Sequence, residues 1–145
     1  MVATRHKRTL TARDVMTHTV VTVRPDTTVL EAVRVLVSRN ISGVPVTNEA
    51  GELMGLLSEH DCLHLLDDEA YDGMHVHFTQ DVSDLMTTDV QTVSPDTDVR
   101  AIAALFLDDG IRRVPVLDDG KLVGLVSRRD ILLGIAQMRV ANPGS

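Results

Sequence analysis

The chain has 145 residues, 43% hydrophobic and 2% aromatic, and a formal net charge of −7. That is enough apolar material for one ordinary domain, or for two small ones sharing a core. No apolar run approaches the ~20 residues that cross a bilayer, and the negative balance argues against nucleic acid as the main partner, because that polyanion is bound by neutralising its phosphates with Lys and Arg. Residues 1–11 form a basic tail carrying Arg5, Lys7 and Arg8. Val20 to Val23 predicts a short β-branched strand, Pro25 and Asp26 turn the chain, and Thr28 with Glu31 makes a capping box. The helix that follows puts Val29, Val33, Leu36 and Val37 on one face and stops at Asn40, a residue that tolerates the left-handed cap. Two strands are expected around Val44 to Thr47 and Leu53 to Leu57, joined by a turn ending in Gly51, and a second helix starts at Ser58.

An acidic linker, residues 67–81, then joins this segment to a second copy of itself. Asp14, Met16 and Thr17 return as Asp84, Met86 and Thr87; Val23, Pro25, Asp26 and Thr27 return as Val93, Pro95, Asp96 and Thr97; Val44, Pro45 and Val46 return as Val114, Pro115 and Val116. All three sets recur at an offset of 70 residues, which marks an internal repeat. Gly55, Ser58 and Asp61 return as Gly124, Ser127 and Asp130, one residue out of step because the loop before Lys121 is shorter by one. The second copy ends its first helix at Gly110 and has Asp119 and Gly120 between its strands, a strong hairpin signal. The reading is an α+β fold with the order β-α-β-β-α twice, over residues 12–66 and 82–137, followed by a tail at 138–145.

The single cysteine, Cys62, has no internal partner for a disulfide and sits in an apolar context, as a buried structural thiol would. That agrees with a reducing, cytoplasmic setting. His60, His64, His75 and His77 near Asp61, Asp67 and Asp68 invite a metal, but neither the spacing nor a Cys or HExxH pattern supports one. No nucleophile, base and orienter set appears, nor any Gly-rich phosphate loop. No catalytic or metal residue is therefore assigned.

The element order, the D-h-M-T opening, the V-P-V strand and the closing G-h-h-S-x-x-D together resemble the CBS domain, and the likeness spans nearly everything outside tail and linker. The resemblance implies two repeats packed through their sheets as a pseudo-two-fold pair, with a nucleotide cleft associated with each repeat. It implies a non-catalytic regulatory module that binds AMP, ADP, ATP or S-adenosylmethionine, signals to a regulated protein, and pairs with a second copy through its helices as a homodimer. A structural dimerisation module with vestigial clefts is the alternative.

By the same resemblance Ser58 and Asp61, matched by Ser127 and Asp130, would hold ribose and phosphate. A carboxylate accepts hydrogen bonds from both ribose hydroxyls, and a serine opening a helix sits where backbone N–H groups favour phosphate. A Ser-x-x-Asp pair is also a common helix cap. The adenine would lie against Thr19, Val21, Ile41, Ser42 and Gly43 in the first repeat and Asp89, Gln91, Ile111, Arg112 and Arg113 in the second; Ile41, Ile111, Val44 and Val114 are equally readable as plain core, the two valines above all. The repeats differ where phosphate would be read. Arg112, Arg113, Arg128 and Arg129 stand where the first has Ser42, Gly43, Glu59 and His60, so the second half is the one suited to a highly charged ligand, though the last two arginines can equally be solvated surface.

Overall fold

The computed structural model describes residues 9–67 and 78–138. The basic residues up to Arg8, the linker at 68–77 with its histidines, and the tail after Met138 lie outside the described residues. Each helix begins and ends on a local device. The short α1 (Ala12–Val15) opens with the Thr11 N–H donating to Asp14 Oδ2 at 2.9 Å. In α2 (Val29–Arg39) the Thr28 hydroxyl accepts from the Glu31 N–H at 3.2 Å, and Asn40 closes the helix at φ 54°. Asn pays less than most residues for that left-handed conformation.

A hairpin of β1 (Gly43–Thr47) and β2 (Leu53–Ser58) follows, antiparallel, with Gly43 opposite Ser58 and Val46 opposite Gly55. The five-residue α3 (Glu59–Leu63) continues as a 3-10 turn over His64–Asp67. After another 3-10 turn at Val82–Asp84, the second half repeats the plan: α4 (Val99–Asp109), β3 (Arg113–Asp118), β4 (Lys121–Ser127) and α5 (Arg128–Ala136). Asp98 caps α4 by accepting the Arg100 N–H at 2.8 Å, and Gly110 ends it at φ 70°. Asp119 and Gly120, at φ 56° and 82°, make the β3–β4 turn, the pair of positive angles a type I′ hairpin demands. The described fold is therefore mixed helix and strand, with two two-stranded antiparallel sheets.

Two expectations are corrected. The strand at Val20 to Val23 contracts to one parallel bridge, in which the Val23 N–H donates to the Pro45 carbonyl at 3.0 Å and the Thr47 N–H donates to the Val23 carbonyl at 2.9 Å. Val93 does the same with Pro115 and Leu117. The bridge uses each proline's carbonyl and the N–H two residues on, so the N–H that proline lacks is never needed. The second correction is Val37, placed by periodicity on the packed face of α2 but 75% exposed.

The described residues fall into two compact units: residues 21–67, 78–90 and 120–122 in the first, and residues 9–20, 91–119 and 123–138 in the second. The units exchange the opening segments of the sequence repeats. Each has its own core, Val23, Ala32, Leu36, Val44, Val46, Leu57 and Val82 in the first, and Ala12, Ile102, Phe106, Val114, Val116, Val126 and Ile131 in the second. Val44 and Val114, open to either role from sequence, are wholly buried core.

Candidate functional site

The exchange of opening segments assembles the site. In the first unit, Thr87 of the D-h-M-T motif pairs antiparallel with Leu56: the Leu56 N–H donates to the Thr87 carbonyl at 2.9 Å, and the Thr87 N–H returns to Leu56 at 2.8 Å. Gly55 makes this possible, because a Cβ built there would stand 2.7 Å from the Thr87 carbonyl oxygen and 2.9 Å from Met86 Sδ. The second unit is built alike. Thr17 pairs with Leu125 through bonds of 2.8 and 3.1 Å, and a Cβ on Gly124 would lie 2.6 Å from Met16 Sδ. The two motifs that looked like separate family marks are packing partners, each glycine clearing the space that the other motif's methionine and threonine fill.

That pairing sets a hydroxyl against each candidate carboxylate. Ser58 caps α3 by accepting the Asp61 N–H at 3.0 Å, while Asp61 Oδ2 accepts the Ser58 N–H at 2.9 Å. Ser127 and Asp130 repeat this at 3.1 and 2.8 Å. The carboxylates are thus true caps, and their orientation is fixed by the backbone. Thr87 Oγ1 then lies 3.2 and 3.4 Å from the two oxygens of Asp61, and Thr17 Oγ1 lies 3.4 Å from Asp130 Oδ1. Hydroxyl–carboxylate bonds are usually about 2.7 Å, so these are weak contacts. A carboxylate has about four lone-pair sites. Each is therefore held in place by a strong backbone bond and a weak hydroxyl contact, which leaves capacity for further donors such as a diol.

Sequence reasoning did not single out Thr17 and Thr87. Their signal was the repeat itself, which returned the same threonine after the same methionine, but their partners lie 113 and 26 residues away.

Around these anchors, β1 and β2 place Gly43 opposite Ser58, and the Glu59 N–H donates to the Ser42 carbonyl at 2.9 Å, so Ile41, Ser42, Gly43, Ser58 and Asp61 are brought together in the first unit. That bond has a consequence for phosphate. With the Glu59 N–H given to Ser42, the Asp61 N–H given to Ser58, and only five residues in α3, its start has little left to offer an anion. Val21 and Asp89 belong to the same unit. In the second unit, Ile111, Arg112, Arg113, Ser127 and Asp130 are joined by Gln91 and by Thr19, which comes from the first repeat. Arg112 is exposed and Arg113 partly buried at the start of β3, the end of the hairpin where β4 runs into Ser127. Gln91 is drawn aside, its Nε2 donating to Asp109 Oδ2 at 3.0 Å.

Cys62, partly buried on α3, has its thiol pushed up to about 11, first by burial and then by the negative charges of Asp61 and Glu59. It stays a thiol at neutral pH and is a poor nucleophile. The rings of His60 and His64 meet edge to face with centroids 4.7 Å apart. Among the described residues no group of three or more His, Cys, Asp or Glu side chains is placed to hold a metal ion, and His75 and His77 lie outside them. Among the described residues, too, no helix is long and apolar enough to cross a membrane.

Comparison with known proteins places this geometry. The chain is 32% identical over 133 residues to the CBS domain-containing protein YhcV of Bacillus subtilis, covering 92% of this chain and 89% of that one. It spans 47% and 23% of the length of two further curated relatives. Among solved structures, CBSX2 in complex with AMP superposes with a TM-score of 0.77 at 34% identity, covering 88% of this chain and 96% of that chain. The CBS domain pair of protein MJ0100, in complex with 5′-methylthioadenosine and S-adenosyl-L-methionine, gives 0.74 at 26% identity, with 90% and 100% covered. The CBS domain model matches residues 12–68 and again residues 82–137. With both copies matched and the paired motifs explained by their packing, the chain belongs to the CBS domain family.

Proposed function

We propose that this chain is a non-catalytic, cytoplasmic regulatory module that binds an adenine nucleotide or adenosyl ligand and relays its occupancy to a partner protein, acting as a homodimer. The observation that carries the reading is the pair of capped carboxylates, Asp61 and Asp130, each facing a weakly held threonine hydroxyl in a chain 34% identical to a CBS structure crystallised with AMP. The two hydroxyls of a ribose replace the threonine as donors to Asp61 or Asp130. The apolar Val21 and Ile41, or Ile111 in the second unit, lie beside the base, which agrees with a chain that has almost no aromatic residues for stacking. Phosphates fall to Arg112 and Arg113 in the second unit, because charge-assisted bonds from guanidinium are about twice as strong as neutral ones.

Thermal-shift titration with AMP, ADP, ATP and S-adenosylmethionine tests this directly. A ligand that binds only the folded chain stabilises it by RT ln(1 + [L]/Kd), about 2.7 kcal/mol at a hundred times Kd. At least one of the four is expected to raise the melting temperature in a saturable way. If none does at millimolar concentration, the clefts are vestigial and the chain is a structural dimerisation module.

A further inference from the structure

The two units differ at one further pair of positions, on the side assigned to the base. In the second unit Gln91 Nε2 donates to Asp109 Oδ2 at 3.0 Å, between residues 18 apart in sequence. At the 70-residue offset the first unit has Val21 and Arg39, and valine has no group for such a bond. Both members of the pair stand next to the residues that would line the base. Gln91 comes two residues before Val93, whose N–H donates to the Pro115 carbonyl at 3.0 Å. Asp109 is the last residue of α4, Gly110 caps it, and Ile111 follows. The bond also decides which end of the carboxamide is left over. A carboxylate only accepts, so the NH2 of Gln91 must face Asp109 and the carbonyl oxygen, Oε1, must turn away as an acceptor. Among the described residues Oε1 has no donor of its own.

We propose that Gln91 is the residue by which the second site tells a 6-amino purine from a 6-oxo purine, and that Asp109 is a positioning residue that holds the carboxamide with its acceptor outward. This rests on the adenosyl reading above and adds to it a base selectivity confined to one unit. An outward Oε1 accepts a hydrogen bond from the amino group of adenine. Against the 6-carbonyl of hypoxanthine it sets acceptor on acceptor, and a polar group left without its partner is what makes a site reject an analogue. Val21 supplies neither donor nor acceptor, so the first unit draws no such selectivity from this position.

Calorimetric titration of the full chain with AMP against IMP, and ATP against ITP, tests this, because within each pair the base differs only at its 6-substituent and the proton on N1. Asp61→Asn, which weakens the first site, reads the second, and Asp130→Asn reads the first. The preference for the amino purine should be about tenfold greater at the second site, and Gln91→Val should lower it there to the value of the first. Asp109→Glu keeps an acceptor and should keep the preference. Asp109→Lys replaces it with a donor, which turns the carboxamide round and should shift the preference about tenfold toward the oxo purine. A basic side chain suits a helix C-terminus, and Arg39 already ends α2 at that position. A merely structural role for Asp109 would weaken both members of a pair alike and leave their ratio unmoved. Equal preferences at the two sites, or a ratio that Gln91→Val and Asp109→Lys leave unchanged, overturn the inference and leave the nucleotide reading standing. If neither pair binds at millimolar concentration the inference falls, and if S-adenosylmethionine fails to bind as well, the reading falls with it.

Discussion

The candidate site around Asp61 and the candidate site around Asp130 have the same skeleton and different side chains around it. Both carboxylates cap a helix behind a serine, both face the threonine of a D-h-M-T segment, and both depend on a glycine to admit that segment. Before the V-P-V strand, however, one has Ser42 and Gly43 where the other has Arg112 and Arg113, and the residues after the capping serines invert from Glu59 and His60 to Arg128 and Arg129. The retained positions are those that backbone geometry or close packing requires. The changed ones are exposed or partly buried, where a substitution costs little stability and is free to alter what is bound.

The largest expected effect breaks the likeness at the carboxylates. Asp61→Asn and Asp130→Asn should each weaken nucleotide binding at its own site by about 1.5–3 kcal/mol, the range for hydrogen bonds to a charged group, with little change in folding. Calorimetry resolves the two binding events. Should affinity hold while stability falls by about 1 kcal/mol, both residues are caps and nothing more.

The packing of the glycines gives the next effect, and it is unequal. Gly55→Ala drives its methyl onto the Thr87 carbonyl, which is backbone, whereas Gly124→Ala first meets the flexible end of Met16. Overpacking costs about 1–3 kcal/mol. Denaturant melts should put Gly55→Ala near the upper end and Gly124→Ala near the lower, and equal costs would show that Met16 cannot move aside.

A third test concerns charge. Arg112→Ala and Arg113→Ala should each reduce ATP affinity at the second site roughly tenfold and AMP affinity less, as expected for charge-assisted bonds to phosphate. Titration of both ligands decides it. Equal weakening at both sites would argue against a role particular to the second, and no change would mean that the arginines bind no phosphate.

The smallest effect compares Cys62 with Ile131, which occupies the matching position in the second unit. Because the folded thiol is raised from 9.0 to about 11, its protonated form is favoured by the fold. That stability is fully present below about pH 9 and is lost as pH rises toward 11. Melting temperatures from pH 8 to 11 should therefore fall more steeply for the natural chain than for Cys62→Ile. Parallel curves would mean that the thiol titrates as freely folded as unfolded.

What the sequence determined by itself is everything decided within about four residues. The stops at Asn40 and Gly110, the turn at Asp119 and Gly120, and the caps at Ser58 and Ser127 are hydrogen bonds or backbone angles that neighbouring residues settle among themselves. The repeat, visible as two spaced sets of motifs, carried the fold family and both carboxylates. What it could not show is which motif meets which, because pairing strength does not depend on order along the chain once the loops between are closed, and lengthening a loop costs little. Only the tertiary structure decided that Thr17 faces Asp130 and Thr87 faces Asp61, that the strand at Val20 to Val23 is held by a single bridge, and that Val37, apolar and in helical register with the core, stands in the open. A period of 3.6 residues gives the direction of a side chain around its helix. Whether anything lies in that direction depends on the rest of the fold.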